Sequence, residues 1–363
     1  MKIARYSTHS YMLPLKKPLP IGEKGLSARR GQIVEYFDEA NRVGRGDIAP
    51  LPGFSSEGIS LACEQAAVTS YRLTKRGLPD GLPNIDGGFK GLLEELDLQP
   101  SVRFGIEAAL LGLAAAQQGV SLARLINPES SGKASICGLI TGGHNEAVAR
   151  AETLRAQGFT TVKLKVGGKV DQAVETTKAV RAALGDDAAL RLDANATWRY
   201  KDALAFCKGV SECNIEYFEE PLSEAAGLLE LSRDTGVPMA LDETLLNVYP
   251  DVLPSWKGIR AIVLKPTIVG GIARTLHFAQ EAEELGITPV ISASYESGVG
   301  LACLANLAAA IGGGAIPAGL DTYDRLAMDV LAETLPTGQP EWDIAEINRR
   351  AAVLDYGGRP VDA

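Results

Sequence analysis

The sequence predicts an α/β protein, a TIM-type (β/α)7β barrel joined to a smaller α+β capping domain. Three observations carry that expectation. From Ser135 onward, apolar strand-like runs (SICGLIT, TTVKLKV, ALRLDAN, IEYFEEP, PMALDET, IRAIVLKP, TPVISAS, AGLDT) alternate with helical patterns, the strand-helix repeat of a barrel. Before Ser135 the chain runs strands first and helices second, the order of a compact α+β unit. The length of 363 residues, 46% hydrophobic and 22% charged, suffices for one barrel with an appended domain. The expected divisions are a capping domain over residues 1–130, a barrel over 131–324, and a tail over 325–363 that returns to the capping domain as irregular chain.

Taken in order, the opening KIARYSTHSYML and the later GQIVEYFDEANRVGRGDIAP read as two or three antiparallel strands. Residues 14–30 between them are rich in Pro, Gly and charge, which suggests a mobile lid. Helices follow over residues 57–77 and 101–119, and the second, FGIEAALLGLAAAQQG, is too apolar to be exposed. Beyond Ser135, NEAVARAETLRAQG, VDQAVETTKAVRAALG and GIARTLHFAQEAEELG are helices between strands. LACLANLAAAIGGG is the last of them, its glycine run marking a helix C-cap and loop.

Composition excludes several functions. With 45 acidic against 36 basic residues, a net charge of −9 and no Lys/Arg-rich face, nucleic acid is not an expected partner. No signal-like or membrane-spanning apolar run occurs, so no membrane association and a cytoplasmic location are expected. The five cysteines form no C-x-x-C pair and read as reduced and packed. His9, His144 and His277 have neither metal-ligand spacing nor a carboxylate motif beside them.

The chemistry is expected where barrels place it, at the C-terminal ends of the strands. In TTVKLKVGG, Val162, Leu164 and Val166 alternate with Lys163 and Lys165, so both ammonium groups share one face of a strand whose other face is aliphatic. The third strand ends with Asp193 and Asn195, the fourth with Glu219 and Glu220, the fifth with Asp242 and Glu243, the sixth with Lys265, the seventh with Ser292 and Ser294. Three successive strands thus deliver carboxylates at one level, and converging carboxylates need a cation. Oxygen-only ligands favour Mg²⁺, or Mn²⁺ in its place. Strand alternation sends only one of Glu219 and Glu220 into the barrel mouth, and the Asp242-Glu243 pair raises the same question. A lysine with a depressed pKa is a general base, and the matching substrate is a small carboxylate with an acidic proton beside it.

KLKVG, RLDANATW, YFEEPL, ALDETL, VLKPTIVGG and ISASYESGVGLA resemble the successive strand-end motifs of the enolase superfamily, muconate-lactonizing subgroup. GRGDIAPLPGFSSE and SVRFGIEAALLGL resemble its capping domain. Within the subgroup the likeness is greatest to the o-succinylbenzoate synthases of menaquinone and phylloquinone biosynthesis, through LDAN with a following tryptophan, ISASYESGVGL and GLDT at residues 319–322. The resemblance implies syn-dehydration of a hydroxycyclohexadiene carboxylate through an enediolate. It makes Asp193, Glu219 and Asp242 the metal ligands and Lys165 the base, with Lys163 keeping the field positive and Lys265 stabilising the anion. Asn195, Arg191, Ser292 and Ser294 become substrate-binding groups, and residues 14–30 the lid. The absence of a histidine near these motifs excludes the branches that use a His base.

Two alternatives stand beside this reading. An N-acylamino acid racemase or dipeptide epimerase of the same subgroup would use the same Lys, Mg²⁺, Lys arrangement, with Lys265 as a second acid/base; GLDTYD lacks the D-x-D pair expected of a dipeptide epimerase. An inactive barrel serving as a binding protein would be expected to lose at least one costly buried charge, and Lys163, Lys165, Asp193, Glu219, Asp242 and Lys265 are all present. Oligomeric state is not legible in the sequence.

Overall fold

A computed structural model describes residues 2–21, 25–76, 93, 96–246 and 248–361. The chain opens with an antiparallel three-stranded sheet, β1 (Arg5–Leu19), β2 (Leu26–Phe37) and β3 (Val43–Ile48), in the order β1-β2-β3. Helices α1 (Ile59–Lys75), α2 (Pro100–Gln118) and α3 (Leu122–Ile126) follow. The packing of α2 on the sheet explains the glycines of β3: a Cβ at Gly44 would fall 2.0 Å from the Ala109 carbonyl oxygen, and one at Gly46 1.8 Å from that of Gly105. Only glycine permits so close a helix-to-strand approach.

The second part begins with β4 (Lys133–Ser135) and β5 (Gly138–Ile140), then alternates: α4 (His144–Ala156), β6 (Thr161–Lys165), α5 (Val170–Leu184), β7 (Ala189–Asp193), α6 (Tyr200–Gly209), β8 (Ile215–Glu219), α7 (Leu228–Thr235), β9 (Met239–Leu241), β10 (Ala261–Leu264), α8 (Pro266–Val269), α9 (Ile272–Glu284), β11 (Thr288–Ile291) and α10 (Gly298–Ala310). Strands β5 to β11 form one parallel sheet in sequential order. Its two edges meet a common segment. Ala318 N–H donates to the Ser135 carbonyl and Cys137 N–H to that of Ala318, while Gly319 N–H donates to the Ile291 carbonyl and Ala293 N–H to that of Gly319. The strands are buried on both faces, as a helix-covered parallel sheet requires. Trp198, Phe206 and Phe218 pack together between sheet and helices, with ring centroids 4.7 to 5.9 Å apart.

Three expectations change. Residues 14–30 are not an irregular loop: Pro14 pairs with Ala28 and Leu19 with Leu26, so the β1–β2 hairpin continues through this stretch after a register shift. Part of the expected lid, residues 22–24, lies outside the described residues, as does Gly77 at the end of the expected first helix. That helix begins at Ile59 with Gly58 as its N-cap, because Glu57 turns away to accept the Ser101 N–H at 2.9 Å. Finally, the tail is regular. It contains β12 (Met328–Leu331), β13 (Glu341–Asp343), α11 (Ile344–Arg350) and β14 (Leu354–Pro360). β12 pairs with β14 and β13 with β4, while Leu326 bridges to Leu15 of β1. These strands are short, and β14 contains Gly357, Gly358 and Pro360, so their partners, rather than their own pattern, specify them. The five cysteines are free and four are buried.

Candidate active site

Register brings the site together. β6 pairs with β7 so that Lys163 lies opposite Arg191 and Lys165 opposite Asp193; β7 pairs with β8 so that Arg191 meets Tyr217 and Asp193 meets Glu219. Alternation sends these residues to one face in two levels, Lys163, Arg191 and Tyr217 below, Lys165, Asp193 and Glu219 above. Asp242 follows β9 directly, and Lys265 follows β10 immediately before Pro266 starts α8.

Asp193, Glu219 and Asp242 are buried, and one carboxylate oxygen from each lies within 4.8 Å of the others. Lysines surround them. Lys163 Nζ donates to Asp193 Oδ2 and to both Glu219 oxygens at 3.1 Å, Lys165 Nζ to Asp193 Oδ2 at 2.5 Å, and Lys265 Nζ to Asp242 Oδ2. Burial pushes Asp193 up, but the Lys165 and Lys163 charges outweigh it and hold this carboxyl well below the usual range. Burial and the Asp193 charge drive Glu219 well above it. Burial alone would lower Lys163, yet Glu219, Asp193 and Asp242 keep it well above its ordinary value. Lys265 is raised against its own burial, mainly by Asp242. Three buried acids this close repel one another, and their oxygen-only donor set suits a hard divalent ion.

The paired acids divide by orientation. Glu220, at φ +38°, turns away and accepts the N–H groups of Asp242 and Thr244, both at 2.8 Å, which fixes the turn carrying Asp242. Glu243, by contrast, stays at the site. Its Oε1 accepts from Asn195 Nδ2 at 2.9 Å, Asn195 Oδ1 accepts from Lys165 Nζ at 2.9 Å, and burial with the adjacent Asp242 charge pushes Glu243 up to about 7.

A cavity of about 920 Å³ opens above these groups. Lys163, Lys165, Glu219, Lys265, Arg191, Asn195, Ser292 and Ser294 all line it. Arg191 lies at its floor, donating to Glu216 Oε2 at 2.7 Å and to the Pro317 carbonyl at 2.6 Å. Ser292 Oγ reaches the Gly319 carbonyl at 3.4 Å, whereas Ser294 Oγ is buried without a hydrogen-bond partner among the described residues. Lys17 to Ile21 of the hairpin close one side, and Lys17 Nζ stands 3.5 Å from Glu146 Oε1 on α4. Leu51, Gly53 and Phe54 complete the wall. The sequence reading puts Glu243 at the end of the fifth strand without a role, and it gives none to the seam group Asp321, which accepts from Leu139 N–H and Arg150 at 2.8 Å.

A curled parallel sheet with three buried carboxylates between lysines at its strand ends defines an enolase-like class, and residues 146–344, more than half of the chain, match the family described as enolase C-terminal domain-like. Residues 3–113 match the family described as MenC, N-terminal domain. The o-succinylbenzoate synthase of Aliivibrio salmonicida is 33% identical over 335 residues, covering 91% of this chain and 93% of that protein. The chloroplast protein PHYLLO of Arabidopsis thaliana is 32% identical over 343 residues, and the chain spans 20% of its length. A dipeptide epimerase structure from Enterococcus faecalis, complexed with Mg and a dipeptide, superposes with a TM-score of 0.83 at 24% identity, over 94% of this chain and 97% of that one, and so shares the fold. The chain belongs to the o-succinylbenzoate synthase family of enolase-superfamily lyases.

Proposed function

We propose that the chain catalyses syn-dehydration of 2-succinyl-6-hydroxy-2,4-cyclohexadiene-1-carboxylate to 2-succinylbenzoate, the reaction its family relatives are named for. The single observation that carries this reading is the arrangement of Lys165 and Lys265 on either side of three convergent buried carboxylates in one cavity. Lys165, as the free amine, takes the proton from the ring carbon that bears the carboxylate, and the bonding pair passes into that carboxylate. Its ammonium then returns the proton to the departing hydroxyl on the same face. The stored pair returns to form the new ring double bond as the C–O bond breaks, water leaves with the C–O pair and the ring becomes aromatic. Lys265 sets its ammonium against the negative charge that accumulates meanwhile, and Lys163 keeps Asp193 and Glu219 in place. Asp193, Glu219 and Asp242 would hold a divalent cation, Mg²⁺ or Mn²⁺, which when bound would supply positive charge beside the substrate carboxylate. Asn195 aims Lys165; Ser292 and Ser294 line the succinyl side, with Arg191 below.

Two architectural readings belong with this proposal. The bonds of Ala318 and Gly319 to both sheet edges support closure into a (β/α)7β barrel. The β1–β3 sheet with α1 and α2, together with the tail residue Leu326 bridged to Leu15 of β1, is read as its cap, and β1–β2 as the lid. The small carboxylate is the partner of this site, and the reaction is placed in the cytoplasm. Among the described residues no helix is long and apolar enough to cross a membrane.

The test is ultraviolet absorbance of the cyclohexadiene substrate with purified protein, first with Mg²⁺ and then with EDTA. Loss of the diene band only with metal is expected. An unchanged band under both conditions overturns the dehydratase reading, and deuterium exchange into N-acylamino acids or dipeptides would then test the racemase, in which Lys265 serves as a second acid/base.

A further inference from the structure

Arg29 lies in β2, away from the acidic cluster, and is 1% exposed. A buried guanidinium usually faces a carboxylate, yet Arg29 forms no ion pair among the described residues. Its donors go to backbone instead. Nη2 donates to the Ala49 carbonyl at 2.7 Å, Nη1 to that of Pro50 at 2.9 Å, and Nε to that of Tyr295 at 3.0 Å. These carbonyls belong to two segments far apart in sequence. The first leads into Leu51, Gly53 and Phe54; the second is the end of Ser292 to Tyr295; both are walls of the cavity. Tyr295 has φ +59°, a left-handed conformation that a bulky aromatic residue rarely adopts without support. The far side of the same loop is held independently, since Asp47 of β3 accepts from Ser297 N–H at 2.9 Å and Oγ at 2.8 Å, and from Tyr11 at 2.7 Å. Arg29 is the side chain whose fork reaches both walls.

We infer that Arg29 is a positioning residue for the substrate cavity: its guanidinium sets the spacing between the loop after β3 and the loop after β11, and holds Tyr295 in its left-handed turn. The inference rests on the dehydratase reading, because the ligand that fills the cavity is that substrate. A lysine keeps the charge but loses the fork, since one nitrogen cannot span three carbonyls.

The experiment measures kcat and KM of Arg29→Lys by loss of the diene band in saturating Mg²⁺, beside the unsubstituted chain, with a thermal melt of each. The expected result is a KM raised by about tenfold or more with kcat within about threefold and a cooperative melt retained. The same substitution made together with Tyr295→Asn, a residue that accepts left-handed backbone more readily, should raise KM by less relative to Tyr295→Asn alone. An unchanged KM, a loss of rate merely proportional to unfolded protein, or an equal KM increase in both backgrounds overturns the inference. If Arg29→Lys melts below the assay temperature, Arg29→Gln is judged by the same criteria. If the unsubstituted chain leaves the diene untouched, the dehydratase reading itself has failed and this inference falls with it; turnover by that chain with unchanged KM in the variant overturns the inference alone.

Discussion

Asn195 shows how much of the site depends on single side chains. Its φ of +47° turns the chain back, its N–H donates to Asp193 Oδ1 at 2.9 Å, and its amide is oriented by accepting at Oδ1 from Lys165 and donating from Nδ2 to Glu243. Asn195→Asp removes the amide that donates to Glu243 and sets two carboxylates face to face. Turnover should fall by roughly 10²-fold through misplacement of Lys165, with a smaller change in KM, as steady-state kinetics would show. Lys165→Ala should lower kcat by about 10³-fold or more while the far-ultraviolet spectrum and melt stay near those of the parent. Substantial turnover in that variant would remove Lys165 from the role of base. Lys163 and Lys165 were legible as a pair because strand alternation needs only five residues. The choice of Glu219 over Glu220 was not legible from alternation alone, because Glu220 is withdrawn by the Asp242 and Thr244 amides, a contact to the next strand.

Elements meet across the molecule through glycines and buried caps. Gly46→Ala would drive a Cβ into the Gly105 carbonyl of α2, and such overpacking costs about 1–3 kcal/mol or more; urea unfolding at fixed pH measures it. Glu107, on α2, caps α9 by accepting the Ala273 N–H at 3.0 Å and that of Ile272. Burial pushes its carboxyl from 4.5 to about 7, against the helix amides and Arg103. The folded state therefore holds a proton between about pH 4.5 and 7 that the unfolded state has released, so this group's contribution is greatest below 4.5 and is lost as pH rises through 7. Relative to Glu107→Gln, the parent should lose up to about 3 kcal/mol across that window, less wherever the helix N-terminus favours the anion. Melts at pH 5 and pH 8 supply the comparison, and a difference that does not change with pH would mean that Glu107 is ionised throughout. Both helices were expected from periodicity, but a cap that joins residues 165 positions apart carries no local signal.

At the scale of the whole molecule, the three acids link stability to metal. Without a cation they repel, and an ion that binds only the folded chain stabilises it by about 2.7 kcal/mol at a hundredfold excess over Kd. Mg²⁺ should accordingly raise the melting temperature by several degrees and EDTA reverse it, with Asp242→Asn reducing the shift; equal melting temperatures with and without Mg²⁺ would count against the triad as its site. The hairpin that stands over the cavity, the loop after β3 and the loop after β11 come from distant parts of the chain, so the cavity exists only once all three are in place.

The sequence by itself determined the alternation of strands and helices, the lysine pair on one face and the run of acids at successive strand ends. Those are local patterns, set by the two-residue period of a strand and the repeat of the strand-helix unit. Tertiary structure decided the rest: that Glu220 is withdrawn while Glu219 enters the site, that Glu243 orients Asn195, that the proline-rich stretch extends a hairpin, and that the tail forms strands against β4 and within itself. The physical reason is common to all four. Each outcome depends on a hydrogen-bond partner supplied by a distant segment, and the residue in question would accept another partner equally well if the chain offered it.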